Sequence, residues 1–141
     1  MTSAAGLRVL SIALGAFLIF MGLDKIDWLM DSGFLTRRLE EWRASAPPMS
    51  RWYLETIAIP GAPLFARLVL LGELAAGAAM VCGVKVRLAA AVSLLMVLNF
   101  DLASDVLLHY DYLTNAYGLP VLGGLLALAI GGTRLPFSLS R

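Results

Sequence analysis

Long apolar runs constrain this chain more than any other feature. Each of four runs approaches the length of about 20 mostly apolar residues that a membrane-spanning helix needs. Lipid offers no hydrogen-bond partners to a backbone, so the continuous apolar runs predict helices. A β-barrel is disfavoured because the runs are few and do not alternate between apolar and polar residues. Pro120, near the start of the shortest run, predicts a kink there. The predicted spans are residues 7–26, 62–84, 88–108 and 114–130.

The composition agrees with an integral membrane protein. Of the 141 residues, 60% are hydrophobic and 15% are charged, and the mean hydropathy is +0.81. A typical soluble domain is about 45–50% apolar and about 25% charged. We therefore predict one all-α domain over residues 1–141, folded as an integral membrane four-helix bundle.

Several classes of function conflict with the residue counts. The formal net charge is +1, and no basic patch with interleaved aromatic residues occurs, so nucleic acid is not an expected partner. The single cysteine, Cys82, excludes a disulfide relay within this chain. The single histidine, His109, excludes a haem held between two histidines and a histidine-rich metal site. We predict no metal site and no haem, and Cys82 is expected to face the core as a small apolar residue.

The distribution of Lys and Arg predicts the orientation in the membrane. The turn between the second and third runs is short and basic, whereas the link between the third and fourth carries Asp105, His109 and Asp111 without Lys or Arg. We expect a multi-pass protein of a bacterial-type inner (plasma) membrane, with both termini in the cytoplasm. The basic residues on the predicted cytoplasmic side are Arg8, Lys85, Arg87, Arg134 and Arg141.

The first link, residues 27–61, is the longest segment predicted outside the membrane. Apolar residues between Phe34 and Trp42 recur at helix-like spacing among charged ones, which predicts a short amphipathic helix. Pro47-Pro48 should end it, and Ser50 could cap a second short helix. We expect both helices to lie on the outer membrane surface with their apolar faces toward lipid.

Every Trp and Tyr falls on the predicted outer side. Interfacial aromatic belts normally occur at both membrane faces, so the asymmetry marks the outer face as the more elaborate one. Two interpretations remain: a belt that anchors the surface helices, or rings that line a ligand pocket or a partner surface. The residues are Trp28, Trp42, Trp52, Tyr53, Tyr110, Tyr112 and Tyr117.

Two ionisable residues, Arg67 and Glu73, lie within the second predicted span. An ionisable group at membrane depth costs roughly 2.5–3.5 kcal/mol, so both need partners inside the protein. Six residues correspond to about 600° of helix and place them about 120° apart, so each requires a partner on another helix. The expected pairs are Arg67 with Asp101 or Asp24, and Glu73 with Asn99 or Lys25, and these six residues form the candidate buried polar site.

The buried polar residues have two interpretations. Interhelical polar contacts in membranes often only fix helix packing, and Gly and Ala around Glu73 favour such close packing. The alternative is a site that binds a proton or a ligand. The residue pattern leaves both open.

Several short motifs resemble the DoxX family. They are Gly22-Leu-Asp-Lys-Ile26 at the end of the first run and Arg67-Leu-Val-Leu-Leu-Gly-Glu73 in the second, which continues as a Gly/Ala-rich run. Asn99 and Gly118-Leu-Pro120 are compatible with the family. The resemblance covers most of the chain except the link at residues 27–61.

The resemblance implies a redox setting. The DoxX family is similar to the small membrane subunit of thiosulfate:quinone oxidoreductase, which implies contact with a quinone. It assigns no catalytic residue to this chain. Because Cys82 is alone, any sulfur chemistry would fall to a partner protein or to the quinone.

Three functions are compatible with the sequence. The first is a membrane subunit of a quinone-linked oxidoreductase, in which Arg67, Glu73 and Asn99 bond the quinone carbonyls or relay protons. The second is a non-catalytic anchor or scaffold for an extracytoplasmic protein partner. The third is a small transporter or proton pathway, for which four spans are few unless the chain forms a homo-oligomer.

Overall fold

The structure is a computed structural model that describes residues 2–139, so Arg141 of the predicted cytoplasmic cations lies outside the described residues. The regular structure of the described residues is entirely helical. The helices are α1 Thr2–Leu23, α2 Gly33–Ser45, α3 Pro48–Tyr53, α4 Ala62–Cys82, α5 Val86–Ala103, α6 Tyr110–Leu113 and α7 Leu119–Gly131, with a 3₁₀ turn at Ile26–Leu29 and a π-helical turn at Leu54–Ala58.

Three of these helices, α1, α4 and α5, are long and apolar enough to cross a membrane. The fourth, α7, is apolar but has 13 residues, about 20 Å of helix against a hydrocarbon core of about 30 Å. It begins at Leu119 rather than near residue 114. Pro120 lies in its first turn, where a missing N–H costs no intrahelical bond, so the kink expected at Pro120 was wrong.

The apolar helices pack in a closed ring. Helix α1 contacts α4, α4 contacts α5, α5 contacts α7, and α7 returns to α1. Their shared core includes the fully buried Met80, Leu125 and Leu128. Helices α1 and α4 approach each other closely, since a Cβ on Gly15 would lie 2.8 Å from the Gly77 carbonyl oxygen. Small residues therefore permit the close packing expected from the sequence.

The first link folds onto the helices of its own chain. Helix α2 confirms the predicted amphipathic helix, but its apolar residues Leu35 and Leu39 are buried. They form a second core with Ala62 and Ala66 of α4 and Ala103 of α5. The expectation that this apolar face lies against lipid was therefore wrong, because α4 and α5 offer it a protein surface.

The start of α3 also differs from the prediction. The helix begins at Pro48, and proline at the first positions of a helix loses no intrahelical bond. Ser50 is therefore inside the helix instead of capping it, and its hydroxyl donates to the Leu102 carbonyl oxygen at 3.1 Å. That bond attaches the link to the end of α5.

Arg8 links α1 to the end of α4 and to the segment after α7, at the other end of the helices from α3. The residue is buried in α1, although the sequence suggested a terminal cytoplasmic cation. Its guanidinium donates to the carbonyl oxygens of Met80 at 2.9 Å, Val81 at 2.7 Å and Phe137 at 3.1 Å. Met80 and Val81 belong to the last turn of α4, where carbonyl groups lack helical partners and a cation is favourable.

Candidate functional site

The centre of the candidate site is an ion pair between Lys25 and Glu73. The Lys25 ammonium donates to both carboxylate oxygens of Glu73, at 3.0 and 2.9 Å. Its third hydrogen bond, at 2.9 Å, goes to the Met21 carbonyl oxygen at the end of α1. The two side chains are only 16% and 13% exposed. The sequence predicted Asn99 or Lys25 as the partner of Glu73, and in the structure the partner is Lys25.

Local packing brings these two side chains together. Helix α1 ends at Leu23, two residues before Lys25, so the lysine follows directly from the helix end. Gly22 faces α4 so closely that an added Cβ would lie 2.8 Å from Leu74 and 3.5 Å from the Glu73 Cβ. A glycine at this position therefore lets the end of α1 reach the middle of α4.

The ion pair lies on the wall of a cavity of about 460 Å³, which we call the aromatic cavity. Its lining combines two cations and three carboxylates with a majority of apolar and aromatic side chains. A concave apolar site with a few polar groups is typical of small-molecule binding. The lining residues are Phe17, Leu18, Met21, Asp24, Lys25, Trp28, Arg38, Trp42, Glu73, Met96, Val97, Phe100, Asp101, Tyr117 and Val121.

Aromatic rings form much of the cavity wall. Phe17 and Tyr117 stack with their centroids 5.7 Å apart and an angle of 18° between their planes. Trp42 meets Phe100 edge to face, with centroids 6.0 Å apart. The Lys25 ammonium lies 5.9 Å from the centre of the Trp28 ring. Flat apolar surfaces next to a fixed cation suit a planar ligand with polar edges.

Asp101 contributes a second carboxylate, held by Tyr112. The Tyr112 hydroxyl donates to Asp101 Oδ2 at 2.5 Å, which joins α6 to α5. Burial raises the pKa of Tyr112 above its ordinary value, and the hydrogen bond and the adjacent carboxylate raise this pKa further. The phenol therefore remains a hydrogen-bond donor to Asp101 throughout the physiological range of pH.

Two predicted site residues lie elsewhere. Arg67 is exposed and donates to the Pro63 carbonyl oxygen of its own helix at 2.8 Å, so the pairing expected with Asp101 or Asp24 was wrong. Asn99 accepts a hydrogen bond of 2.7 Å from Tyr53 and does not line the aromatic cavity. Asn99 and Asp101 are about 200° apart on α5, so they cannot both face Glu73.

The predicted outer aromatic residues fall into three groups. Trp28, Trp42 and Tyr117 line the aromatic cavity. Tyr53 and Tyr112 bond the polar residues of α5. The remaining two, Trp52 and Tyr110, are 60% and 77% exposed.

Eight of the fifteen lining residues that the structure describes were not predicted from the sequence, among them Phe17, Phe100 and Arg38. Phe17 and Phe100 lie within predicted apolar spans, and periodicity alone does not distinguish a cavity wall from a core. Arg38 is one of the charged residues of the predicted amphipathic helix between Phe34 and Trp42. Its position on the cavity depends on how α2 folds back over the helices, and no local sequence signal indicates that packing.

The side chains of the cavity can bind a ligand and transfer protons. Within residues 2–139, the lining contains no Cys, His, Ser or Thr that could act as a nucleophile. It does contain cationic donors and carboxylates, which can bond a ligand oxygen and exchange protons. Cys82 is exposed at the end of α4, so the expectation that it faces the core was wrong.

Comparison with known proteins identifies the family. The DoxX family model matches residues 6–100, which is more than half of the chain. No curated protein and no solved structure gives a significant match. The matched region includes both halves of the ion pair and the motifs around Lys25 and Glu73. The chain is a membrane protein that belongs to the DoxX family.

Proposed function

We propose that this protein is the membrane subunit of a quinone-linked oxidoreductase and that the aromatic cavity holds the quinone ring. The observation that carries the proposal is the Lys25–Glu73 pair on the wall of a cavity of about 460 Å³ that is otherwise largely apolar and aromatic. The family resemblance to a quinone oxidoreductase subunit supports the same ligand class.

The lining matches the chemistry of a quinone. A quinone is a flat apolar ring with an acceptor oxygen at each of two edges. Aromatic walls such as Phe17, Trp42 and Phe100 can contact the ring. Lys25 would donate to a carbonyl oxygen by exchanging one of its two hydrogen bonds to Glu73. Reduction to the quinol consumes two electrons and two protons. The electrons would come from a partner redox subunit, and the carboxyl groups of the cavity would transfer the protons.

The test is quinone content and turnover. The protein is purified with its partners from the native membrane in a mild detergent, and its lipid extract is analysed for quinones by mass spectrometry. We expect bound quinone in the wild type and a loss of about tenfold or more in Glu73→Gln and Lys25→Gln, since a charged hydrogen bond contributes about 1.5–3 kcal/mol.

Arg67→Gln is the matched control, because Arg67 is exposed and lies outside the cavity lining. It should retain the wild-type quinone content and turnover. The proposal fails if the wild type carries no quinone and if Glu73→Gln and Lys25→Gln both leave quinone-dependent turnover unchanged.

A scaffold for an extracytoplasmic partner is the second candidate. The observation that favours it is the exposure of large side chains on and beside α3 and α6, including Met49 at 82%, Trp52 at 60% and Tyr110 at 77%. Such side chains often mark protein contacts. If this function is the correct one, Trp52→Ala and Tyr110→Ala abolish partner co-purification while Glu73→Gln leaves it intact.

A further inference from the structure

A second cavity, of about 400 Å³, lies at the other end of the long helices from the aromatic cavity. It lies between the α4–α5 turn and the segment that follows α7, and we call it the basic pocket. Its lining includes Lys85, Arg87, Leu88, Thr133, Arg134 and Ser138.

The charges of the basic pocket are all of one sign. Lys85, Arg87 and Arg134 line it, and no Asp or Glu does so within the described part of the chain. The Arg87 guanidinium is fixed at one edge, where Nε donates to the Ala129 carbonyl oxygen of α7 at 3.0 Å. A guanidinium has further N–H groups in a fork that fits a phosphate.

Other donors converge on the same cavity. Helix α5 begins there at Val86, and the first N–H groups of a helix lack helical partners and favour an anion. The Ser138 hydroxyl is shielded from solvent and has no hydrogen-bond partner among the described residues. Thr133 adds another hydroxyl to the wall. The pocket therefore brings together hydrogen-bond donors from two separate segments of the chain.

The position of the basic pocket indicates which class of anion it binds. It lies at the ends of helices that are apolar enough to cross a membrane, which is the level of lipid headgroups. Leu88 on its wall is 60% exposed, as expected of a side chain that meets acyl chains. We propose that the basic pocket binds the phosphate of an anionic phospholipid headgroup, as basic pockets at the ends of membrane helices do.

Native mass spectrometry of the full-length protein in mild detergent tests this proposal. The protein is titrated with phosphatidylglycerol or with phosphatidylcholine, and bound lipid is counted. We expect wild-type protein to retain phosphatidylglycerol in preference to phosphatidylcholine. An Arg87→Gln/Arg134→Gln variant should bind phosphatidylglycerol about thirtyfold more weakly.

Two further variants keep the result interpretable. Arg134→Gln alone should weaken binding about fivefold, and Arg134 is exposed and forms no hydrogen bond to the described residues, so the fold is not at risk. Arg51→Gln removes an equal charge from α3, far from the pocket, and should bind like wild type. Equal phosphatidylglycerol binding by wild type and all variants overturns the proposal.

A separate arm distinguishes lipid from soluble phosphate. Inorganic phosphate is added to wild-type protein, and its thermal unfolding is compared with that in phosphatidylglycerol. A rise in Tm with phosphatidylglycerol alone supports the lipid site. An equal rise with inorganic phosphate assigns the pocket to a soluble anion and overturns the lipid assignment.

Discussion

At the scale of single residues, the Lys25–Glu73 pair explains how this chain keeps the Glu73 carboxylate within an apolar helix. Lys25 donates to both oxygens of Glu73 and to the Met21 carbonyl, so all three ammonium protons have acceptors. The charges are thus satisfied by each other and by the backbone. Removing one partner leaves the other unpaired in a medium of low dielectric constant.

The first prediction concerns stability. Lys25→Met should lower the free energy of unfolding by about 1–3 kcal/mol, measured by denaturation in detergent. Lys25→Met/Glu73→Leu should lower it less than the single variant, because it leaves no unpaired charge. Arg43→Met, which breaks an exposed pair at 4.0 Å with Glu55, should cost less than about 1 kcal/mol. A double variant as costly as the sum of the Lys25→Met and Glu73→Leu single variants would contradict the pairing.

The second prediction concerns the Tyr112 phenol. Its pKa is raised by burial and by Asp101, so it should ionise at a higher pH than a tyrosine in an unfolded chain, whose pKa is about 10. Between these two pKa values the folded protein keeps a proton that the unfolded chain loses, and stability therefore falls with rising pH. Phenolate absorbance follows the titration, and Tyr112→Phe should remove the late component. Loss in Tyr112→Phe of a component that titrates at or below about pH 10 would contradict it.

At the scale of elements, the contact between α1 and α4 depends on glycine. Added Cβ atoms would lie 2.8 Å from the Gly77 carbonyl oxygen if placed on Gly15, and 2.7 Å from the Gly15 carbonyl oxygen if placed on Gly77. Backbone atoms cannot move aside as a flexible side chain can. The spacing of the two helices, and with it the reach of Lys25 to Glu73, is fixed by these residues.

The third prediction uses this contact. Gly77→Ala should destabilise the protein by about 1–3 kcal/mol, since it forces two backbones apart. Gly123→Ala is the matched control, because a Cβ there meets nothing within 4 Å and alanine favours a helix. Thermal unfolding in detergent compares the two variants. Equal Tm values would show that the α1–α4 interface tolerates a methyl group.

At the scale of the whole molecule, the aromatic cavity and the basic pocket occupy opposite ends of the long helices. The aromatic cavity is covered by the first link, whose helices bury Leu35, Leu39 and Leu54 against α4 and α5. The basic pocket has no comparable cover within residues 2–139. The two ends thus offer different surfaces to the two sides of a membrane.

The fourth prediction tests orientation. Cys82 is exposed and lies at the end of α4 beside the basic turn, which the Lys and Arg distribution assigns to the cytoplasm. A membrane-impermeant maleimide should label it only after cells are opened. In a Cys82→Ser background, Ser45→Cys at the exposed end of α2 should be labelled in intact spheroplasts. Labelling of Cys82 in intact spheroplasts would reverse the orientation.

The sequence predicted the elements better than it predicted the site. Three spans and α2 were read correctly from apolar length and helical period, since both patterns are local. The sequence narrowed the partner of Glu73 to Asn99 or Lys25, and the structure pairs Glu73 with Lys25. Arg67 was misassigned because an arginine near a helix end can bond its own backbone, here the Pro63 carbonyl oxygen, and needs no second helix.

The apolar runs by themselves determined that this is a helical membrane protein, since a backbone in lipid must satisfy its own hydrogen bonds. The position of the Glu73 carboxylate within the second apolar run determined that it needed a partner inside the protein. Only the tertiary structure decided which side chains meet. The rotation of each helix, the close approach at Gly15 and Gly77 and the position of α2 all depend on packing between residues far apart in sequence. That packing brings Arg38 and Trp42 to the cavity of Lys25 and Glu73.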